Sequence, residues 1–223
     1  MGGSGPFGGD TPIPVAAVVV DNVADVGFQI GIDQALLLIE VPVEGGVTRY
    51  IALYGESIPG LIGPVRSLRP VSADLLALFS PVVFTTGGQP FVTGMVEGAG
   101  STIVTRDGSI AFQTLERPQP HHVFVTPEVG GALSQSVTAP WGYGEWGGGE
   151  PATEVSIQFG GGVSWRFEDG VYARYAGESE LTCFRNSIRI RYLSPETRSS
   201  SSWQTRSRPG TPTRRGQMCL ISM

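Results

Sequence analysis

The chain contains no lysine; all 15 of its basic residues are arginine. That absence removes whole classes of chemistry. A Walker A phosphate loop needs its lysine, and Schiff-base or pyridoxal-phosphate catalysis needs a lysine amine. Cysteine is almost as scarce: Cys183 and Cys219 stand alone, outside any C-x-x-C pair, which leaves redox and zinc-cluster readings without support. The only histidines, His121 and His122, are adjacent. Neighbours on a strand point to opposite faces, so neither a metal site nor a cofactor is expected. No apolar run approaches the ~20 residues of a membrane helix. The first residues, MGGSGPFGGDTPIP, have neither the basic nor the apolar part of a signal peptide. Residues 1–13 read as a flexible Gly/Pro/Ser linker.

Charge is spread unevenly. Residues 1–180 carry 7 Arg against 19 Asp and Glu, a formal balance of −12, whereas residues 181–223 carry 8 Arg and the single acid Glu196, a balance of +7. This Arg/Ser-rich tail has no sustained hydrophobic period, and is expected to be disordered or the product of a shifted reading frame. An arginine-rich arm can also mark nucleic-acid binding, but the acidic body ahead of it argues against that partner.

Between linker and tail, 32 Gly and 17 Pro punctuate strand-like apolar runs, the composition of a globular, turn-rich protein. Val15–Val20 (VAAVVV) is the pattern of a strand buried on both faces, stopped at Asp21-Asn22. Gln34–Val43 supplies a second apolar run. Val47–Tyr54 alternates, with Arg49 on the same face as Val47, Ile51 and Leu53. Helices are expected over roughly Val71–Phe79, capped by Ser72, and from Gln89 to about Val96, flanking a strand at Val82–Thr86. Shorter strands follow at Ile103-Val104 and His122–Val125. The expected fold is α/β over residues 14–138, a mixed sheet with flanking helices. After a hinge at 139–151, a small antiparallel β unit over 139–180 is expected from three alternating segments at 153–175.

The chemistry concentrates in Glu44–Pro70, EGGVTRYIALYGESIPGLIGPVRSLRP, which holds Arg49, Arg66 and Arg69 among turn-forming glycines and prolines. A guanidinium among apolar neighbours needs a partner. One reading is a pocket for an anionic ligand, lined by Arg49, Arg66, Ser67 and Arg69, completed by the Gly87-Gly88 turn and oriented by Glu44, beside a helix N-terminus. The other is internal pairing, Glu44 with Arg49 and Asp21 or Glu40 with Arg66. His121 or Glu44 could serve as a general base, with Ser67 or a water as nucleophile, although Ser67 lacks the G-x-S-x-G elbow. Gly142–Gly147 formally matches G-x-G-x-x-G but follows no strand and precedes no helix, so no dinucleotide site is expected. Trp141, Tyr143 and Trp146 in that loop offer stacking surface instead.

Taken together, VEGGVTRYIALY, IGPVRSLRP, TTGG and PHHVFVTP resemble the YerB-like bacterial lipoprotein family, known as domain of unknown function 3048. PVAAVVVDN resembles that family's first strand. The resemblance covers roughly residues 13–130 and, more faintly, SWRFEDGVYARY at 164–175. The chain departs from the pattern at His122, where the family has asparagine, and in having no lipobox cysteine. The resemblance supplies no activity. It implies an extracytoplasmic protein of the bacterial cell envelope, joined to a membrane only through a lipid anchor absent from this chain. The resulting expectation is a binding module for a small anionic ligand or cell-wall fragment, or alternatively a hydrolase acting on an envelope polymer.

Overall fold

The computed structural model describes residues 13–14, 16–23, 26–55, 58–107, 109, 111–127, 136–137, 152–157, 162–168, 171–180, 189–191 and 219–222. Residues 1–12 of the expected linker, the 139–151 hinge with its three aromatic residues, and most of the Arg/Ser-rich tail lie outside them.

The strands in chain order are β1 (Ile13–Pro14), β2 (Ala16–Asn22), β3 (Leu37–Pro42), β4 (Thr48–Tyr54), β5 (Val82–Phe84), β6 (Thr102–Val104), β7 (Phe112–Thr114), β8 (Val123–Val125), β9 (Ser136–Val137), β10 (Glu154–Ile157), β11 (Val163–Glu168), β12 (Val171–Ala176), β13 (Ser179–Glu180), β14 (Arg189–Arg191) and β15 (Cys219–Ser222). The α-helices are α1 (Pro70–Ala77) and α2 (Pro90–Gly98). The central sheet has the order β15-β3-β4-β2-β5-β6. It is mixed: β2 pairs antiparallel with β4 and parallel with β5, and β5 pairs parallel with β6. Pro70 opens α1 at the first helical position, where its missing N–H is no loss. Arg69 is the N-cap residue; Ser72, expected to be the cap, instead accepts Arg69 N–H from one turn inside, at 3.3 Å.

Strand alternation sorts the core into two faces. Ala17, Val19, Ile51 and Leu53 pack with Leu75, Leu76, Val92 and Val96 of the helices. Val18, Val20, Ala52 and Tyr54 face the other way, against Ile62, Val65, Val123, Val125, Val163 and Trp165. The layers are therefore helices, mixed sheet and β structure. The third layer consists of the β7-β8 hairpin and an antiparallel sheet β10-β11-β12-β13, with β14 also on β12. Trp165 of β11 is buried in the same core as β2 and β4. Two short strands of the tail, β14 and β15, are incorporated at the margins of the two larger sheets. Among the described residues no helix is long and apolar enough to cross a membrane.

β5 leads through a Thr-Thr-Gly-Gly turn into α2, and α1 leads down into β5. Because β2, β5 and β6 run parallel, both helices start at the carboxyl end of these strands and run away from it. Two helix N-termini and the ends of β2 and β5 thus share one edge, the place where open α/β sheets gather ligands.

Candidate anion-binding site

Asp21, the last but one residue of β2, lies at this edge and stands opposite Arg49 of β4 in the antiparallel register. The loop from Ile62 to Arg69 is laid across it. Asp21 N–H donates to Pro64 O at 2.9 Å and Arg66 N–H to Val19 O at 2.8 Å. Gly63 has φ +153, and a Cβ there would lie 2.8 Å from Phe124 Cδ1, so the loop approaches β8 only as glycine. On its other side the loop is tied to the turn after β5. Leu68 N–H donates to Gly87 O at 2.8 Å, and Thr85 Oγ1 donates to Arg66 O at 2.8 Å. Gly87 has φ +108, a conformation open to glycine alone at low strain.

This backbone gathers three guanidinium groups. Arg69 Nε binds Glu44 Oε2 at 2.6 Å, while its Nη1 donates to Ser67 Oγ at 2.8 Å and to Leu68 O at 3.0 Å. Arg66 Nε lies 2.9 Å from Asp21 Oδ2, close enough for an ion pair but outside hydrogen-bond alignment. Arg49 is 7 % exposed, and its Nη1 donates to the Ser67 carbonyl oxygen and, at 3.3 Å, to Ser67 Oγ. Among the described residues Arg49 forms no ion pair. Burial, and then the like charges of Arg69 and Arg66, push its pKa down to about 10, with Asp21 and Glu44 pulling the other way. Three guanidiniums thus face two carboxylates, which leaves positive charge uncompensated at the most buried of them.

Ser67 Oγ accepts from both Arg49 and Arg69, so its own proton is free to donate elsewhere. Glu44 is exposed, and the Arg69 hydrogen bond holds its carboxyl below the usual 4.5. That makes it a weaker base than a free carboxylate. His121 Nδ1 is 2.8 Å from Asp21 Oδ2, the same oxygen that pairs with Arg66. Asp21 is fully buried, and its Oδ1 has no partner among the described residues. Among the described residues no group of three His, Cys, Asp or Glu side chains is placed to hold a metal.

A family model described as "Protein of unknown function (DUF3048) N-terminal domain" matches residues 8–139. The chain belongs to this family. The Bacillus subtilis (strain 168) protein named "Putative lipoprotein YerB" is 28% identical over 113 residues, covering 49% of this chain and 34% of the relative. The crystal structure of YerB protein from Bacillus subtilis superposes with a TM-score of 0.62 at 23% identity, covering 78% of this chain and 64% of that one, a likeness of fold. The chain therefore spans about a third of the curated relative's length.

Within this DUF3048 chain, Arg49, Arg66, Ser67, Arg69 and Glu44 come together, with the Gly87-Gly88 turn alongside and His121 joined through Asp21. The internal pairs are not all those the sequence offers. Asp21 takes Arg66, but Glu44 takes Arg69, and Arg49 has no carboxylate partner among the described residues. Glu40 turns to the opposite face of the sheet. There its carboxylate receives both Nε (2.8 Å) and Nη2 of the buried Arg174. It also accepts from Thr48 Oγ1 at 2.9 Å and Asn22 Nδ2 at 3.0 Å. Strand parity carries the signal for that split: Glu40 pairs with Tyr50, whereas Asp21 pairs with Arg49. The Asp21–His121 contact spans 100 residues and has no local signal.

Proposed function

We propose that this protein is a cell-envelope binding module that holds an anionic ligand through Arg49, Arg66, Ser67 and Arg69. The observation that carries the reading is Arg49, buried and without an ion pair among the described residues. Isolating a charge from water without a counter-ion is unfavourable, so such a site is completed by a negative group from outside. Ser67 adds a neutral donor. Glu44 and Asp21 hold Arg69 and Arg66 in place and keep the site from becoming too cationic to fold. The envelope location rests on family membership and on the lipoprotein named among the relatives.

A second reading, hydrolysis of an envelope polymer, is favoured by the carboxylate-oriented imidazole of His121. The two separate on one substitution. In a binding module His121→Ala leaves most of the anion affinity in place, because the imidazole reaches the arginine cluster only through Asp21. In a hydrolase the same change abolishes turnover of wall fragments while binding persists. A thermal-shift screen of sulfate, phosphate, dicarboxylates and soluble wall fragments is the first test. No shift with any of these anions would refute the binding reading.

A further inference from the structure

The site is built for more acceptor oxygens than a carboxylate has. Arg49 Nη1, Arg69 Nη1 and Arg69 Nε are occupied by protein acceptors. Arg49 Nε and Nη2, both terminal nitrogens of Arg66, and Arg69 Nη2 have no hydrogen-bond partner among the described residues. Ser67 contributes its free hydroxyl proton. The turn between β5 and α2 adds backbone donors. Gly87 N–H is used by Thr85 Oγ1 at 3.2 Å, but the N–H groups of Gly88 and Gln89 donate to no acceptor among the described residues. Leu68 packs against this turn, so closely that a Cβ on Gly88 would lie 3.3 Å from Leu68 Cβ. The amides at the start of α2 and the arginines around Ser67 therefore share one edge of the sheet.

Donors of this number, coming from a loop, a strand and a helix start, do not suit a planar group with two oxygens. A carboxylate is satisfied by one guanidinium fork. A tetrahedral phosphoryl group offers three or more strong acceptor oxygens pointing in different directions, and a glycine turn opening a helix complements its charge. We infer that the ligand of this site carries a phosphoryl group, and that phosphoesters are taken in preference to carboxylates. This rests on the binding-module reading and names its ligand class. Two sources share the chemistry: a soluble phosphoester, or the phosphate of a lipid headgroup. Phe91 (56% exposed) and Met95 (45% exposed), one turn apart on α2, form an apolar surface near the glycine turn, where an acyl chain or bilayer would lie.

The test is calorimetric titration of the full chain with glycerol 3-phosphate, inorganic phosphate and succinate at constant ionic strength. It is repeated with Arg49→Gln and with Ser67→Ala, each checked for fold by circular dichroism and melting. Binding of glycerol 3-phosphate at least about tenfold tighter than succinate, lost in Arg49→Gln and weakened in Ser67→Ala, is the expected result. Succinate binding as tightly as the phosphoester, and equally lost in Arg49→Gln, overturns the phosphoryl assignment and leaves the anion site standing. No saturable heat with any of the three overturns both. Co-sedimentation with phosphatidate vesicles, reduced by Phe91→Ser and absent with phosphatidylcholine, identifies the lipid source. Glycerol 3-phosphate binding without vesicle retention identifies the soluble one.

Discussion

Arg49 sets the chemistry at the residue scale and opposes folding of the empty protein. With its folded-state pKa pushed down to about 10, well below that of an ordinary guanidinium, the unfolded chain holds this proton more tightly. Stability of the ligand-free protein therefore rises as pH climbs from about 10 toward the ordinary arginine value, and below about 10 the desolvation penalty is fully present. Arg49→Met removes the penalty. The unliganded melting temperature is expected to be equal or higher, by about 2–4 °C for each kcal/mol recovered, while anion binding is lost. A marked fall in melting temperature would show that the contacts to Ser67 outweigh burial of the charge. Glu44 acts in the opposite sense, as a competing anion on Arg69. Sulfate keeps its charge in mild acid, so sulfate affinity is expected to rise as pH falls through the lowered pKa of Glu44. Glu44→Gln should bind sulfate more tightly at neutral pH and show no such rise; titrations at several pH values decide it.

At the scale of elements, the site depends on two turns that only glycine serves well. Gly87 combines φ +108 with the carbonyl that anchors Leu68. Gly87→Ala is expected to lower stability by about 1–3 kcal/mol and to weaken anion binding with it. Gly94, within α2, is the control: a Cβ there meets nothing within 4 Å. Gly94→Ala should stabilise the protein by about 0.5–1 kcal/mol without touching affinity, as read by urea denaturation. The elements that frame the site were legible because their periods are unmixed: VAAVVV, the alternation of Val47–Tyr54, and the Gly-Gly stop after β5. The β7-β8 pairing was only half legible, since Phe112–Thr114 is too short to carry a period. Ser72 is a cap by residue type alone, whereas Pro70 at the first helical position marks the helix start.

At the scale of the whole molecule, the proposed anion site lies on the helix face of the sheet, and a second polar cluster lies on the opposite face at the same end. Arg174 of β12 reaches Glu40 of β3 there, under Tyr50, whose hydroxyl is pushed strongly up by burial and then by the charge of Glu40. This pair fastens the antiparallel β unit to the central sheet across 134 residues of sequence. No local pattern could announce it, because the β unit reads as an independent meander. Arg174→Met leaves the Glu40 carboxylate buried without its cation and is expected to cost about 3–5 kcal/mol in chemical denaturation. A loss below about 1 kcal/mol would mean that the β unit is held by Val163 and Trp165 alone.

The central claim is that the arginine cluster is completed by an anion from outside. It is tested most directly by titrating inorganic phosphate into the wild-type protein and into Arg49→Met at fixed ionic strength. The account predicts saturable binding in the wild type and at least about a tenfold loss in a variant that melts no lower. Equal binding by the two proteins, or no saturable binding by the wild type, would contradict it.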